Sequence, residues 1–333
     1  MKAVSAPTPR EFEFHPSEHA VIATVTFAQS LSRRIKTSVV LPLTFRTKDG
    51  PKVANACVDT GSDVNVISVE LAKDLGYEFF DDCPLDTQFT LANSKIVCPV
   101  GQIDATIWFG RRPNLELAPT SCTFYVLPKT ATPVLVGMPF LNPTEIMTKH
   151  RDKLMTLRRP HRQASSVCSI GKPKLHMACE LNNVLTVAVP DSGSEVDLVS
   201  PQFALARGFE VHSRIEKIEL ADGSIVTSEG YIRATLSIPT HFNEDYLPVN
   251  KAAIKVDFLV LDDLSHDVII GEHCLEELRV FSDNDHILML ATDATGLAAV
   301  NTIRVQSVID DSVTKLREKI NMRKRSKPAV GSQ

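Results

Sequence analysis

The sequence predicts an all-β protein made of two copies of one unit. Val58-Asp59-Thr60-Gly61-Ser62-Asp63-Val64-Asn65-Val66-Ile67-Ser68 returns as Pro190-Asp191-Ser192-Gly193-Ser194-Glu195-Val196-Asp197-Leu198-Val199-Ser200, identical or conservatively exchanged after the first position. The offset holds downstream, where Ala72 matches Ala204, Gly76 matches Gly208, Tyr77 matches Phe209 and Glu78 matches Glu210, so the repeat is that of a domain. Short alternating runs between turn residues, an aromatic fraction of 6% and 20 prolines favour strands over long helices.

In chain order, residues 1–35 form an N-terminal extension rich in Pro, Ser and Glu, with one strand-like run from His19 to Phe27. The first unit, residues 36–157, opens with the alternating strand Ser38 to Phe45, turns at Lys48-Asp49-Gly50 and runs from Val53 to Val58 into Asp59. After each Asp-bearing loop a short helix is expected. Ser68 caps the first helix and Gly76 ends it, while Ser200, Pro201 and Gly208 give the same signals in the second unit, residues 173–293. A hairpin follows in both, over Phe89–Val97 and Ile218–Val226, with Asp222-Gly223 a strong two-residue turn and Asn93-Ser94 a weaker one. Further strands run from Ile103 to Phe109 and Tyr231 to Ile238, then Cys122 to Leu127 and Val256 to Leu261. Each unit closes on a short strand, Lys153 to Leu157 and His286 to Leu290. Residues 158–172, opening Arg158-Arg159-Pro160-His161-Arg162, read as a basic solvated linker. Residues 294–333 carry Ile309, Val313, Leu316 and Ile320 at helical spacing and end in the basic tail Arg323 to Pro328.

Asp-Thr/Ser-Gly-Ser followed by an apolar run resembles the active-site loop of the aspartic proteases, in particular the retropepsin-like branch of retroviruses and long-terminal-repeat retrotransposons. Two further segments strengthen the resemblance, Val134-Leu135-Val136-Gly137 and Val268-Ile269-Ile270-Gly271, the aliphatic-Gly stretches that close such domains. The resemblance implies the acid-protease fold, two retropepsin-like lobes forming an intramolecular pseudo-dimer. It also implies an aspartic endopeptidase with Asp59 and Asp191 as catalytic residues. Thr60, Gly61 and Ser62 would support the first loop, and Ser192, Gly193 and Ser194 the second, the Thr60 and Ser192 hydroxyls cross-linking the two. Ala92, Asn93 and Ser94, with Ala221, Asp222 and Gly223, would form substrate-binding flaps. An ordinary surface hairpin accounts for the same turn residues, and position after the Asp loop favours the flap.

Hydrolysis of an amide without metal or covalent intermediate needs a water made nucleophilic and a protonated leaving group. Two carboxylates about 3 Å apart supply both, because they share one proton. One departure stands out: Pro190 occupies the place of Val58 and brings no N–H to its strand. It tilts the second loop or is tolerated at a strand end, and on the first alternative the chain is an inactive peptide-binding or assembly module derived from a retroelement polyprotein.

The expected partner is a peptide or protein substrate, bound by a monomer whose lobes imitate a dimer. A net charge of −4 disfavours nucleic acid, and no run approaches the roughly 20 apolar residues of a membrane span. The seven cysteines, an odd number without a Cys-x-x-Cys pair, argue against a disulfide framework or zinc site and for an intracellular, cytoplasmic setting, the basic tail leaving the nucleus open. Neither a cofactor nor a metal is expected, since His266, Asp267 and His273 match no ligand spacing.

Overall fold

A computed structural model describes residues 37–79, 87–110, 119–158, 164–239, 252–292 and 296–299. The expected strand at His19–Phe27, the C-terminal helix, the basic tail and Cys83 lie outside them. In the first lobe the elements are β1 (Thr37–Thr47), β2 (Gly50–Val58), β3 (Val66–Ser68), α1 (Val69–Asp74), β4 (Phe89–Thr90), β5 (Ile96–Val97), β6 (Gly101–Phe109), β7 (Thr120–Leu127), β8 (Val134–Val136), α2 (Met138–Thr144) and β9 (Met155–Arg158). Then comes β10 (Ser165–Val167), ahead of the second lobe. That lobe contains β11 (Leu175–Leu181), β12 (Val184–Asp191), β13 (Leu198–Val199), α3 (Pro201–Ala206), β14 (Lys217–Leu220), β15 (Ile225–Thr227), β16 (Gly230–Ser237), β17 (Ala253–Val260), β18 (Val268–Gly271), α4 (Glu272–Glu277), β19 (Leu288–Thr292) and β20 (Gly296–Ala299).

The two main sheets have one topology. Strand order in the first is β2-β8-β3-β7-β6-β1-β9, and in the second β12-β18-β13-β17-β16-β11-β19-β20. Each strand of the first lobe thus has its counterpart at the same place in the second. The first hairpin turns through Lys48 and Asp49, and its counterpart through Asn182 and Asn183, both with positive φ, the pair of left-handed residues that a type I′ turn requires.

Local chemistry explains the repeated helices. The Leu71 N–H donates to the Ser68 hydroxyl and the Phe203 N–H to that of Ser200. At the other end Tyr77 N–H donates to Ala72 O and Gly76 N–H to Lys73 O, with Phe209 and Gly208 repeating the pattern on Ala204 and Leu205. This is the Schellman closure, and both glycines stand at the left-handed position it needs, at φ +77° and +69°.

Alternation along β6 and β16 sends Ile103, Ala105 and Ile107, and Ile232, Ala234 and Leu236, inward, where Phe124 and Phe258 from the neighbouring strands complete the packing. A second apolar cluster draws on both lobes, including Cys57, Leu135, Val189 and Ile269 below and Leu91, Ala92, Leu220 and Ala221 above. Two expectations are corrected here. Residues 164–170 of the supposed solvated linker are buried, because small uncharged side chains there are covered from both lobes. The second sheet also runs past residue 293 through β20.

Candidate active site

The two Asp loops meet across the boundary between the lobes. Thr60 Oγ1 donates to Pro190 O at 2.6 Å and accepts from Ser192 N–H at 3.0 Å. In return Ser192 Oγ donates to Val58 O at 2.9 Å and accepts from Thr60 N–H at 3.1 Å. Four bonds therefore lock one loop to the other, and each hydroxyl both donates and accepts. Ser194 serves its own loop, donating to Val196 O, while the single Ser62 hydroxyl proton is shared between Val64 O of its own loop and Ile170 O.

Inside this lock Asp59 and Asp191 are fully buried. Gly61 N–H donates to Asp59 Oδ1 and Gly193 N–H to Asp191 Oδ1, both at 2.8 Å. A side chain at either glycine would strike the opposite aspartate: a Cβ on Gly61 would fall 2.7 Å from Asp191 Cγ, and one on Gly193 2.8 Å from Asp59 Cγ. The remaining oxygens, Asp59 Oδ2 and Asp191 Oδ2, are buried with no donor. One proton held between the two carboxyls would supply it. Burial is the largest cause that holds both carboxyls above the ordinary carboxylate range, and for Asp59 the neighbouring Asp191 charge adds to it.

Pro190 costs the sheet no bond. Asp59 N–H donates to Val136 O in β8, so in β2 the N–H groups of alternate residues face β8 and that of Val58 faces the β1 side. In the second lobe the pairing of β12 with β11 ends at Ala188, before Pro190 is reached. The missing donor lies where no acceptor waits, and the two loops keep matching geometry.

Beneath each loop a residue that sequence matching aligned without assigning a role pins the aliphatic-Gly segment. Asn65 Oδ1 accepts from Gly137 N–H at 3.0 Å, and its amide donates to Thr123 O. Asp197 does the same with Gly271 N–H at 2.9 Å, but its second oxygen accepts from the Cys274 thiol. Burial pushes the Asp197 carboxyl up to about 6 and the Cys274 thiol well up from its ordinary value.

The hairpins expected as flaps reach the opposite lobes. Ala92 O accepts from Ser265 N–H at 2.7 Å, and Ala221 O from Ala131 N–H at 2.9 Å. Ser94 Oγ donates to Asp263 O, Asn93 Oδ1 caps Lys95 N–H, and Lys95 Nζ meets Asp222 Oδ2 at 2.5 Å, joining one hairpin to the other. Ser94 and Gly223 hold the same left-handed turn position, at φ 63° and 76°.

Residues 43–140 match the family model described as aspartyl protease. The match falls within the first lobe and includes its Asp loop and its aliphatic-Gly segment. The chain is also similar to the crystal structure of the retroviral protease-like domain of Ddi1 from Leishmania major, at 21% identity over 39% of this chain and 98% of that one, with a TM-score of 0.22. No curated protein matches the chain. Among the described residues no helix is long and apolar enough to cross a membrane.

Between the two Asp loops on one side, and the two hairpins on the other, runs a strand that sequence reasoning missed. β10 pairs in parallel with β14, in the register Ser165 with Ile218 and Val167 with Leu220, and Ile170 bridges Leu91 in the first hairpin. Against the loops, Ser166 exchanges bonds with Glu195, its N–H donating to Glu195 Oε2 at 2.9 Å and its carbonyl accepting from Glu195 N–H at 2.8 Å. Ile170 O accepts from Asp63 N–H at 3.1 Å and from the Ser62 hydroxyl, and Ser169 Oγ donates to Gly61 O. Gly171 N–H donates to Thr90 O.

Proposed function

We propose that this protein is an aspartic endopeptidase whose catalytic pair, Asp59 and Asp191, is completed within a single chain. The observation that carries the reading is the buried, symmetric pair of carboxylates, each held by the N–H of its own loop glycine and walled by the glycine of the other. In a singly protonated pair the charged carboxylate takes a proton from water, and the protonated one donates to the substrate carbonyl oxygen as water adds. The amide nitrogen then leaves with a proton, and the pair returns to one proton. Thr60 and Ser192 orient the loops, and the hairpins 89–97 and 217–227 close over extended peptide as flaps. A monomer in a reducing, intracellular setting fits this reading, and none of the six described cysteines is joined in a disulfide. The test is mass-spectrometric detection of new termini in a mixed peptide pool between pH 3 and 8, with wild type beside Asp59→Asn and Asp191→Asn. Cleavage that needs both aspartates is expected, and its absence both from wild type and from a chain in which Val167→Asp and Ile170→Asp free the cleft would remove the reading.

One observation favours a second reading, that of a non-catalytic peptide-binding module. Neither aspartate has any exposure, and residues 164–170 run buried against both Asp loops. This reading expects no new termini from wild type and equal peptide binding with either aspartate replaced.

A further inference from the structure

The covered state of the dyad has a specific architecture. Asp63 and Glu195 stand at the same place in the two loops, four residues beyond Asp59 and Asp191. Their N–H groups take the carbonyls of Ile170 and Ser166, so the strand is gripped at equivalent points on both sides of the pseudo-two-fold axis. Cys168 is the midpoint between those carbonyls and lies beside Asp59. The other edge of the strand is bonded to the hairpins through the pairing with β14 and through Thr90. This is an extended segment held by main-chain bonds from above and below with its centre at the dyad, the arrangement in which a sheet edge recognises a peptide. Its side chains fit closely, since Ser166, Val167, Cys168, Ser169 and Ile170 are all buried, and Val167, Cys168 and Ile170 join the apolar cluster shared by lobes and hairpins. Gly171 ends the segment at φ +87°, where a Cβ would collide with Asp63 Oδ1.

We infer that residues 164–171 occupy the peptide cleft as a built-in ligand. The cleft therefore takes extended peptides with aliphatic side chains at the places of Val167 and Ile170 and small ones at those of Ser166, Cys168 and Ser169, and outside peptides enter only when this strand leaves. The inference rests on the reading of the cleft as a peptide site and adds its ligand class and its control. A tethered ligand acts at an effective concentration on the order of millimolar, enough to suppress a micromolar competitor strongly.

The experiment uses the full chain carrying Asp59→Asn, so that binding is read without turnover, and a fluorescent synthetic peptide, Ala-Ser-Ser-Val-Cys-Ser-Ile-Gly, kept reduced. Adding Val167→Asp and Ile170→Asp places two charges in apolar surroundings and expels the strand. Fluorescence anisotropy should then show binding at least about tenfold tighter than in the Asp59→Asn chain alone, and equal binding by the two folded proteins would overturn the inference. Should circular dichroism show the expelled variant unfolded, hydrogen exchange in the unaltered chain decides. The amides of Ser166 and Gly171 should be protected as those of β14 are, and exchange at free-peptide rates would overturn the inference. Because binding needs no turnover, a chain that binds but never cleaves contradicts the peptidase reading and leaves this one standing.

Discussion

The hydroxyl of Thr60 donates to the carbonyl of Pro190, 2.6 Å away in the other lobe, while accepting the N–H of Ser192. One side chain thus satisfies two main-chain groups of the opposite loop. Thr60→Val keeps the shape and leaves both without a partner. A buried polar group left unsatisfied costs about 1–3 kcal/mol, so the variant should lose about 2 kcal/mol or more in urea unfolding, and Thr60→Ser should recover most of it.

Gly61 touches the buried carboxylate pair from the other side. A methyl group there would meet Asp191 Cγ at 2.7 Å, well inside contact distance, and must push the two carboxylates apart. Gly61→Ala should therefore lower kcat by about 10²-fold, the scale on which misplacing reacting groups by an ångström acts. Steady-state kinetics with KM little altered would fit displacement at the dyad, whereas a rise in KM alone would contradict it.

Asn65 and Asp197 hold equivalent glycines, but only Asp197 titrates. Its carboxyl is pushed up from 3.8 to about 6 in the fold, so the folded state prefers the protonated form. Its contribution is fully present below pH 3.8 and is lost as pH rises through about 6; above that the native state carries a charge that is only partly exposed to water. Asp197→Asn removes the charge and can copy the bond that Asn65 makes to its neighbouring strand. Thermal melts at pH 7.5 should show the variant more stable by about 2 kcal/mol, with little gain at pH 4. A gain of equal size at both would contradict the titration argument.

The features legible in the sequence are those whose hydrogen bonds close locally. The Ser68 and Ser200 caps, the glycines at 76 and 208 and the hairpin at Asp222-Gly223 are written within a few residues of where they act. Asn65 and Asp197 were aligned with each other, but their partners are backbone N–H groups more than 70 positions away. The harmlessness of Pro190 depends on where β11 stops pairing, which no local pattern states. Ala164 to Gly171 gave the weakest signal. Its small uncharged residues follow Arg158, Arg159, Pro160 and Arg162, and its burial is imposed by loops from both lobes.

Burial raises both members of the dyad, so the bell-shaped pH dependence expected of one shared proton should have its limbs displaced upward from the ordinary carboxylate range. The displacement is read from the two apparent pKa values of kcat/KM. Limbs at ordinary carboxylate values would contradict the buried dyad.

Complementation tests most directly whether Asp59 and Asp191 of one chain form the catalytic pair. Peptide cleavage is measured for wild type over a range of concentrations, for Asp59→Asn and Asp191→Asn separately, and for the two variants mixed in equal amounts. With the dyad built inside one chain, wild-type rates rise linearly with concentration. Each variant loses nearly all turnover, and the mixture stays as inactive as its parts. Activity restored by mixing, or retained by Asp191→Asn alone, would contradict the account and place the pair between chains.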